Sequence, residues 1–370
     1  MGATRWRGTP AGLADGGAAR LPGWDDGWLQ ATVASRPLAA EDLTPSMCIG
    51  SHTRVRLVDH VSHTWDSVRS HDPAFPARST HKQQIVDAEE AWRVRPKPPV
   101  RVLDLFSDER RHLLTLLSEL SAEQWTAPTE CAGWSVKDLV AHLLGDDMNR
   151  LAGGRDGYRS STPSQSPTWE ELVAFVNGRN EAWVIALRRL SPQLLIDLLS
   201  WTGDRVLAYF QSLDPMEVGD PVSWAGPTAA PRWLDMAREY TERWVHQQQI
   251  RVAVGAPGLR ERRLFHPVLD TFVHALPHTY REVAVADGSH VRLVITGEAG
   301  GAWSLLRAQE LWALFVDVKT PPTCVVTLDE EAAWRLFTRG IDAAAARKRA
   351  AIEGDEILGA VLLRGVAIIA

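Results

Sequence analysis

From Val102 to Gly255 apolar residues recur every three to four positions, and beyond about residue 290 they recur every second one. This switch constrains the chain more than any other feature, because a helical stripe cannot double as the face of a strand. Leu103, Phe106, Arg110, Leu113, Leu114, Leu117 and Leu120 mark a first amphipathic helix. A loop through Pro128 and Gly133 comes next. Ser135 is then placed as an N-cap, with Asp138 three residues on, and Val136, Leu139, Val140, Leu143 and Leu144 carry a second helix. After a polar loop at 152–167, Thr168 caps a third helix bearing Trp169, Leu172, Phe175, Trp183 and Leu187. A fourth helix spans 194–213 behind Ser191-Pro192. A Pro- and Gly-rich loop occupies 214–231, and a last helix over 231–254 is stopped by Gly255 and Pro257. Four or five long helices within 101–258 predict a helix-bundle domain.

The last third reads differently. A helix is expected over 262–282. Alternating runs at 291–296, 303–306, 311–316 and 324–328 predict short strands of a small antiparallel sheet. Amphipathic segments at 330–339 and 355–364 predict two more helices. The chain is therefore expected to be α+β: a four-helix bundle, then a small α+β domain at 259–370. Residues 1–100 lack sustained periodicity and end in Arg95-Pro-Lys-Pro-Pro, where three prolines favour an extended linker. They are expected to form a low-order, largely unstructured extension.

Composition narrows the function classes. The 370 residues leave room for two or three domains. The three cysteines, Cys48, Cys131 and Cys324, are odd in number and far apart, which excludes a disulfide framework and a CxxC motif. A formal charge of −6 argues against a nucleic-acid partner. No run approaches the ~18 apolar residues of a membrane span, and the N-terminus lacks the apolar stretch of a signal peptide. The expectation is a cytoplasmic protein without nucleic-acid or membrane partners, a monomer or weak dimer.

The informative chemistry lies in Tyr240-Thr-Glu242-Arg-Trp-Val-His246-Gln-Gln-Gln249. Glu242 and His246 are four residues apart and share a helix face, and Gln249 continues it. The apolar stripe through Trp233, Ala237, Tyr240 and Trp244 is offset from that face. A carboxylate and an imidazole one turn apart can converge on a divalent metal, as in bundles that build metal sites from facing helices. A third ligand must come from another helix, and His142, set among apolar residues of the second helix, is the candidate. Spacing alone leaves open a surface glutamate bonded to its neighbouring histidine, and a core histidine satisfied by its surroundings. His274 and His278 share the spacing but enclose Pro277, which is expected to end the helix. His60 and His63 fall in the extension. There is no GxSxG for a hydrolase triad and no phosphate loop. Cys131 has no base near it in sequence and reads as a small packing residue.

The stretch Pro128-Thr-Glu-Cys131-Ala-Gly-Trp134-Ser-Val-Lys-Asp138-Leu-Val-Ala-His142-Leu resembles the opening motif of the mycothiol-dependent maleylpyruvate isomerase family, within the wider DinB-like metal-binding bundles. Glu242-Arg-Trp-Val-His246 is similar to that family's second motif. Val-Thr-Leu-Asp329, Trp334-Arg-Leu-Phe-Thr-Arg339 and Glu353-Gly-Asp355 resemble its C-terminal domain, which is like sterol carrier protein 2. The likeness covers about 102–370. It implies that His142, Glu242 and His246 bind zinc or another divalent metal with one position open. It also implies mycothiol as thiol cosubstrate and a small electrophilic substrate, hence an isomerase or S-transferase. Asp138 and Asp146, one turn either side of His142, are expected to support the ligands or face the substrate. Gln249 stands where the family often carries Asn or Asp, and Arg339 could face a carboxylate of the thiol. Cys131, Gly133 and Trp134 are expected to shape the loop ahead of His142. Two alternatives share these ligands: a metal-dependent hydrolase, and a non-enzymatic metal-binding module with an apolar ligand in its C-terminal domain. Of 40 basic residues 35 are Arg, the bias of a GC-rich genome such as mycothiol-producing bacteria carry.

Overall fold

Hydroxyl caps set where four of the bundle's helices begin. The computed structural model describes residues 94–158 and 168–367. The extension up to residue 93, with Cys48, His60 and His63, lies outside the described residues, as does 159–167 of the predicted polar loop. After Arg95–Pro96 (β1) and a single 3-10 turn, α1 (Phe106–Ser118) opens the bundle. The loop expected next contains a one-turn helix, α2 (Ala122–Trp125), because Ser121 and Gln124 close a capping box and Trp125 is buried beneath it. Ser135, Thr168 and Ser191 each accept the backbone N–H three residues on, starting α3 (Val136–Asn149), α4 (Trp169–Leu187) and α5 (Pro192–Gln211). Residues 150–155 extend α3 as a π turn. The Pro- and Gly-rich loop forms a hairpin, β2 (Val218–Pro221) with β3 (Ala229–Pro231). Then α6 (Arg232–Val254) runs to Gly255, whose φ of 69° only glycine takes up without strain.

α3 lies at the centre, packed against α4, α5 and α6, while α1 packs on α5 and α6. Leu113, Leu117, Leu139, Leu143, Leu195, Leu199 and Ile250 fill the space between them. The opposite side of α6 belongs to the second domain. Trp244 stacks on Phe265 at 4.3 Å and meets Trp334 edge-on at 5.8 Å, and Tyr240 Oη donates to the Leu264 carbonyl at 2.9 Å. One continuous core cluster joins α6 to this second domain.

The helix expected over 262–282 is three pieces: α7 (Arg262–Phe272), a 3-10 turn, and α8 (Leu276–Thr279). Pro277 does not end a helix. It sits in the first turn of α8, where the missing N–H would have no partner anyway. The strands are β4 (His290–Thr296), β5 (Gly301–Ala308), β6 (Leu311–Val316), β7 (Cys324–Asp329) and β8 (Ala351–Gly354), in the order β1-β6-β5-β4-β7-β8. The sheet is mixed, not antiparallel as expected. β4, β5 and β6 form a meander, but residues 317–323 return the chain to the start of β4, so β7 runs parallel to β4. Helices α9 (Glu330–Phe337) and α11 (Glu356–Leu362) cover β7, with α10 (Ala343–Arg349) between them in sequence. Residues 94–100, the described end of the predicted extension, join this domain. β1 pairs with β6, and the Lys97 ammonium reaches Asp270 at 2.8 Å. Among the described residues no helix is long and apolar enough to cross a membrane.

Candidate metal centre

Between α3 and α6 two rows of polar side chains run antiparallel. His142, Asp146 and Arg150 lie one turn apart along α3 and its π-turn extension, facing His246, Glu242 and then Glu239 and Asp235 along α6. The structure brings His142, Glu242 and His246 together: one donor atom of each lies within 4.8 Å of the others. Both imidazoles are less than a tenth exposed. Their ring centroids are 4.7 Å apart at 89°, and His246 Nε2 is 3.5 Å from Glu242 Oε2. That separation exceeds a good hydrogen bond and is close to the spacing of two ligands that share one small cation.

Electrostatics sharpen the picture. Burial, and then the neighbouring His246, hold His142 well below the ordinary histidine range, so its ring is neutral. His246 moves the other way. Burial opposes its charge, but Cys131 and Glu242 outweigh this and push it up to about 10. Burial, with Glu239 and Glu242 next in effect, pushes Asp146 up to about 8. Its carboxylate lies 3.5 Å from His142 Nε2. A cation among these groups reverses the tendencies of His246 and Asp146 and reinforces that of His142, since it favours ionised carboxylates and deprotonated imidazoles.

The remaining expected residues divide. Gln249 is at the site: its Oε1 is 2.8 Å from His246 Nδ1. Asp138 is not. It closes the cap of α3 with Ser135 and is held by Arg188 at 2.9 Å; burial resists its ionisation, yet Arg188 and Ser135 keep its pKa below the usual range. Arg339 is exposed and ends α9 with φ 59°. The C-terminal domain instead sends Arg335 to the site loop, where it donates to Glu130 at 2.6 Å.

The loop has a physical rationale. Trp134 N–H donates to the Cys131 carbonyl at 3.0 Å, and Gly133 between them has φ 81°, the geometry of a type II turn. This turn carries Trp134 to within 5.3 Å of the His142 ring and Cys131 to within 3.4 Å of Gln249. Cys131 is therefore more than the packing residue expected. The signal was its place in the motif, and the partner that gives it meaning is 118 residues away. On the other flank of α3, Gly145 has no Cβ because the Trp183 indole occupies that space and donates to the Ala141 carbonyl at 2.9 Å.

Sequence reasoning missed an ion network behind the ligands. Asp147, fully buried, takes Arg110 at 2.8 Å, Arg243 at 2.7 Å and the Thr202 hydroxyl at 2.6 Å. Glu239 takes Arg243, Arg150 and Arg238. The available signal was Arg110 within the apolar repeat of the first helix.

Residues 106–251 match the family described as the mycothiol maleylpyruvate isomerase N-terminal domain. Among solved structures, the crystal structure of the mycothiol-dependent maleylpyruvate isomerase is 16% identical, covering 63% of this chain and 86% of that one with a TM-score of 0.40. A histidine-to-alanine variant of that enzyme aligns with the same identity and coverage at a TM-score of 0.37. No curated protein is a significant match. The match spans α1 to α6 and takes in His142, Glu242 and His246, so this helical domain is similar to the mycothiol maleylpyruvate isomerase N-terminal domain.

Proposed function

We propose that the chain is a metal-dependent isomerase or S-transferase that uses mycothiol on a small electrophile, His142, Glu242 and His246 holding the metal. One observation carries this reading: two buried imidazoles and a carboxylate from two helices converge on one point. Three protein donors are the pattern of catalytic zinc sites, which leave a further position to a small molecule. Two nitrogens and one carboxylate oxygen also suit zinc better than the hard, all-oxygen cations. A divalent ion bound there supplies a thiolate from a thiol at neutral pH.

The protein's own groups then have defined tasks. His142 is neutral and offers a lone pair directly. His246 gives up the proton that Glu242 and Cys131 help it keep in the metal-free protein. Glu242 contributes the negative charge that keeps the centre close to neutral. The Trp134 ring covers one side of His142 and limits water there. Arg335 and Glu130 tie the site loop to the sheet domain, for which we propose a sterol-carrier-like role in closing the substrate space. Release of the thiol after addition gives isomerisation of a substrate double bond, and its retention gives transfer.

Mycothiol titrated into cobalt-substituted protein should produce an intense thiolate-to-metal charge-transfer band. A sample that holds cobalt and shows no spectral change contradicts thiol dependence and leaves hydrolysis by the same ligands.

A further inference from the structure

Two donors converge on one oxygen next to the ligand cluster. Gln249 Oε1 lies 2.8 Å from His246 Nδ1 and 3.4 Å from Cys131 Sγ. An amide oxygen has two lone pairs and no proton, so it can accept from both at once. Were the amide reversed, its nitrogen would donate to Nδ1, and the His246 proton would have to sit on Nε2. That atom faces Glu242 and is the one through which His246 would ligate. The nearby thiol hydrogen would also lose its acceptor. The arrangement with oxygen toward both donors is the one compatible with metal binding.

We propose that Gln249 is a positioning residue that holds His246 in its Nδ1–H tautomer and fixes its ring, with Cys131 anchoring the amide from the other side. The inference rests on the metal reading above and adds to it a reason for glutamine in this place. A histidine ligand is aimed and made more basic by whatever accepts from its other nitrogen. A carboxylate acceptor would give that nitrogen strong anionic help, whereas an amide gives orientation without added charge. The Cys131–Gln249 contact also ties the site loop to α6, across 118 residues of sequence. Cys131 is not among the residues whose donor atoms converge, so the loop contributes a hydrogen bond and not a ligand.

The test compares metal binding, by competition with a chromophoric chelator, in the parent, Gln249→Leu, Gln249→Glu and Cys131→Ser. Gln249→Leu should bind zinc about 10–100-fold more weakly and change the visible bands of the cobalt form. Gln249→Glu, which restores an acceptor, should recover parental affinity or exceed it. Cys131→Ser, which keeps a donor, should stay within a few-fold of the parent. If Gln249→Leu does not fold, Gln249→Glu still decides: a carboxylate acceptor that weakens binding overturns the proposal. Gln249→Leu with parental affinity and parental cobalt bands also overturns it, while the metal reading survives. A parent that takes up no metal overturns both.

Discussion

The seam between α3 and α6 holds two polar layers, built from adjacent residues of the same helices and satisfied in opposite ways. In the layer of Asp147, Arg110, Arg243 and Glu239, each charge meets its opposite at 2.7–2.8 Å. In the layer of His142, Asp146, Glu242 and His246, the contacts between imidazoles and carboxylates stretch to 3.5 Å. Asp146 and Asp147 are neighbours in sequence yet fall into different layers, because consecutive residues on a helix point about 100° apart. Buried charge is tolerated only when compensated. The first layer is compensated by arginines, and for the second we propose a cation as the compensation. One layer holds the helices in register; in the proposed function the other uses that rigidity for chemistry.

The sharpest way to break this contrast is to unbalance the first layer. Arg243→Met takes from buried Asp147 one of its two arginines and from Glu239 one of its three, so it should cost about 3 kcal/mol in denaturant unfolding, the lower end of the penalty for breaking a buried ion pair. His246→Ala should change metal-free stability far less. Equal losses in the two variants would erase the distinction between the layers.

A steric change to the helix that carries both layers comes next. In Gly145→Ala the added Cβ would lie 2.7 Å from the Trp183 ring, so the indole must move and its bond to Ala141 is strained. About 1–3 kcal/mol of stability should be lost, read as a lowered thermal midpoint.

The third prediction concerns protons. In the metal-free protein His246 is raised to about 10, so at neutral pH a metal must displace its proton. Apparent zinc affinity should therefore rise with pH, about tenfold per unit below that value and levelling above it. Linkage sets the sign: metal binds the deprotonated form, and lowering pH fills the competing protonated form. Binding independent of pH between 6 and 8 would mean that His246 is not a ligand.

The smallest effect is expected at the rim. Glu130→Ala removes a partly exposed pair with Arg335, which keeps Glu331, and should cost no more than about 1 kcal/mol. A larger loss in an unfolding experiment would place that contact among the main supports of the loop.

Much of this was legible from residue spacing. Ser135, Thr168 and Gly255 announce helix ends through local chemistry, and the four-residue step from Glu242 to His246 puts both on one face whatever surrounds them. The parallel pairing of β7 with β4 was not legible, because alternation tells which face a residue takes and nothing of its neighbour's direction. Pro277 was misread for a related reason: proline ends one helix and begins another equally well, and the tertiary setting decides. Asp138 looked like a partner of His142 on spacing, but its nearer obligation is to the exposed N–H groups of its own helix. Gln249 and Cys131 needed the fold to meet.

The central claim is that the second layer holds one divalent ion through His142, Glu242 and His246. Titration of chelator-stripped protein with zinc, monitored by calorimetry, measures this directly. The expected result is one ion per chain in the parent, with binding lost or greatly weakened in His142→Ala, Glu242→Gln and His246→Ala alike. Stoichiometric zinc retained by His246→Ala with parental affinity would contradict it.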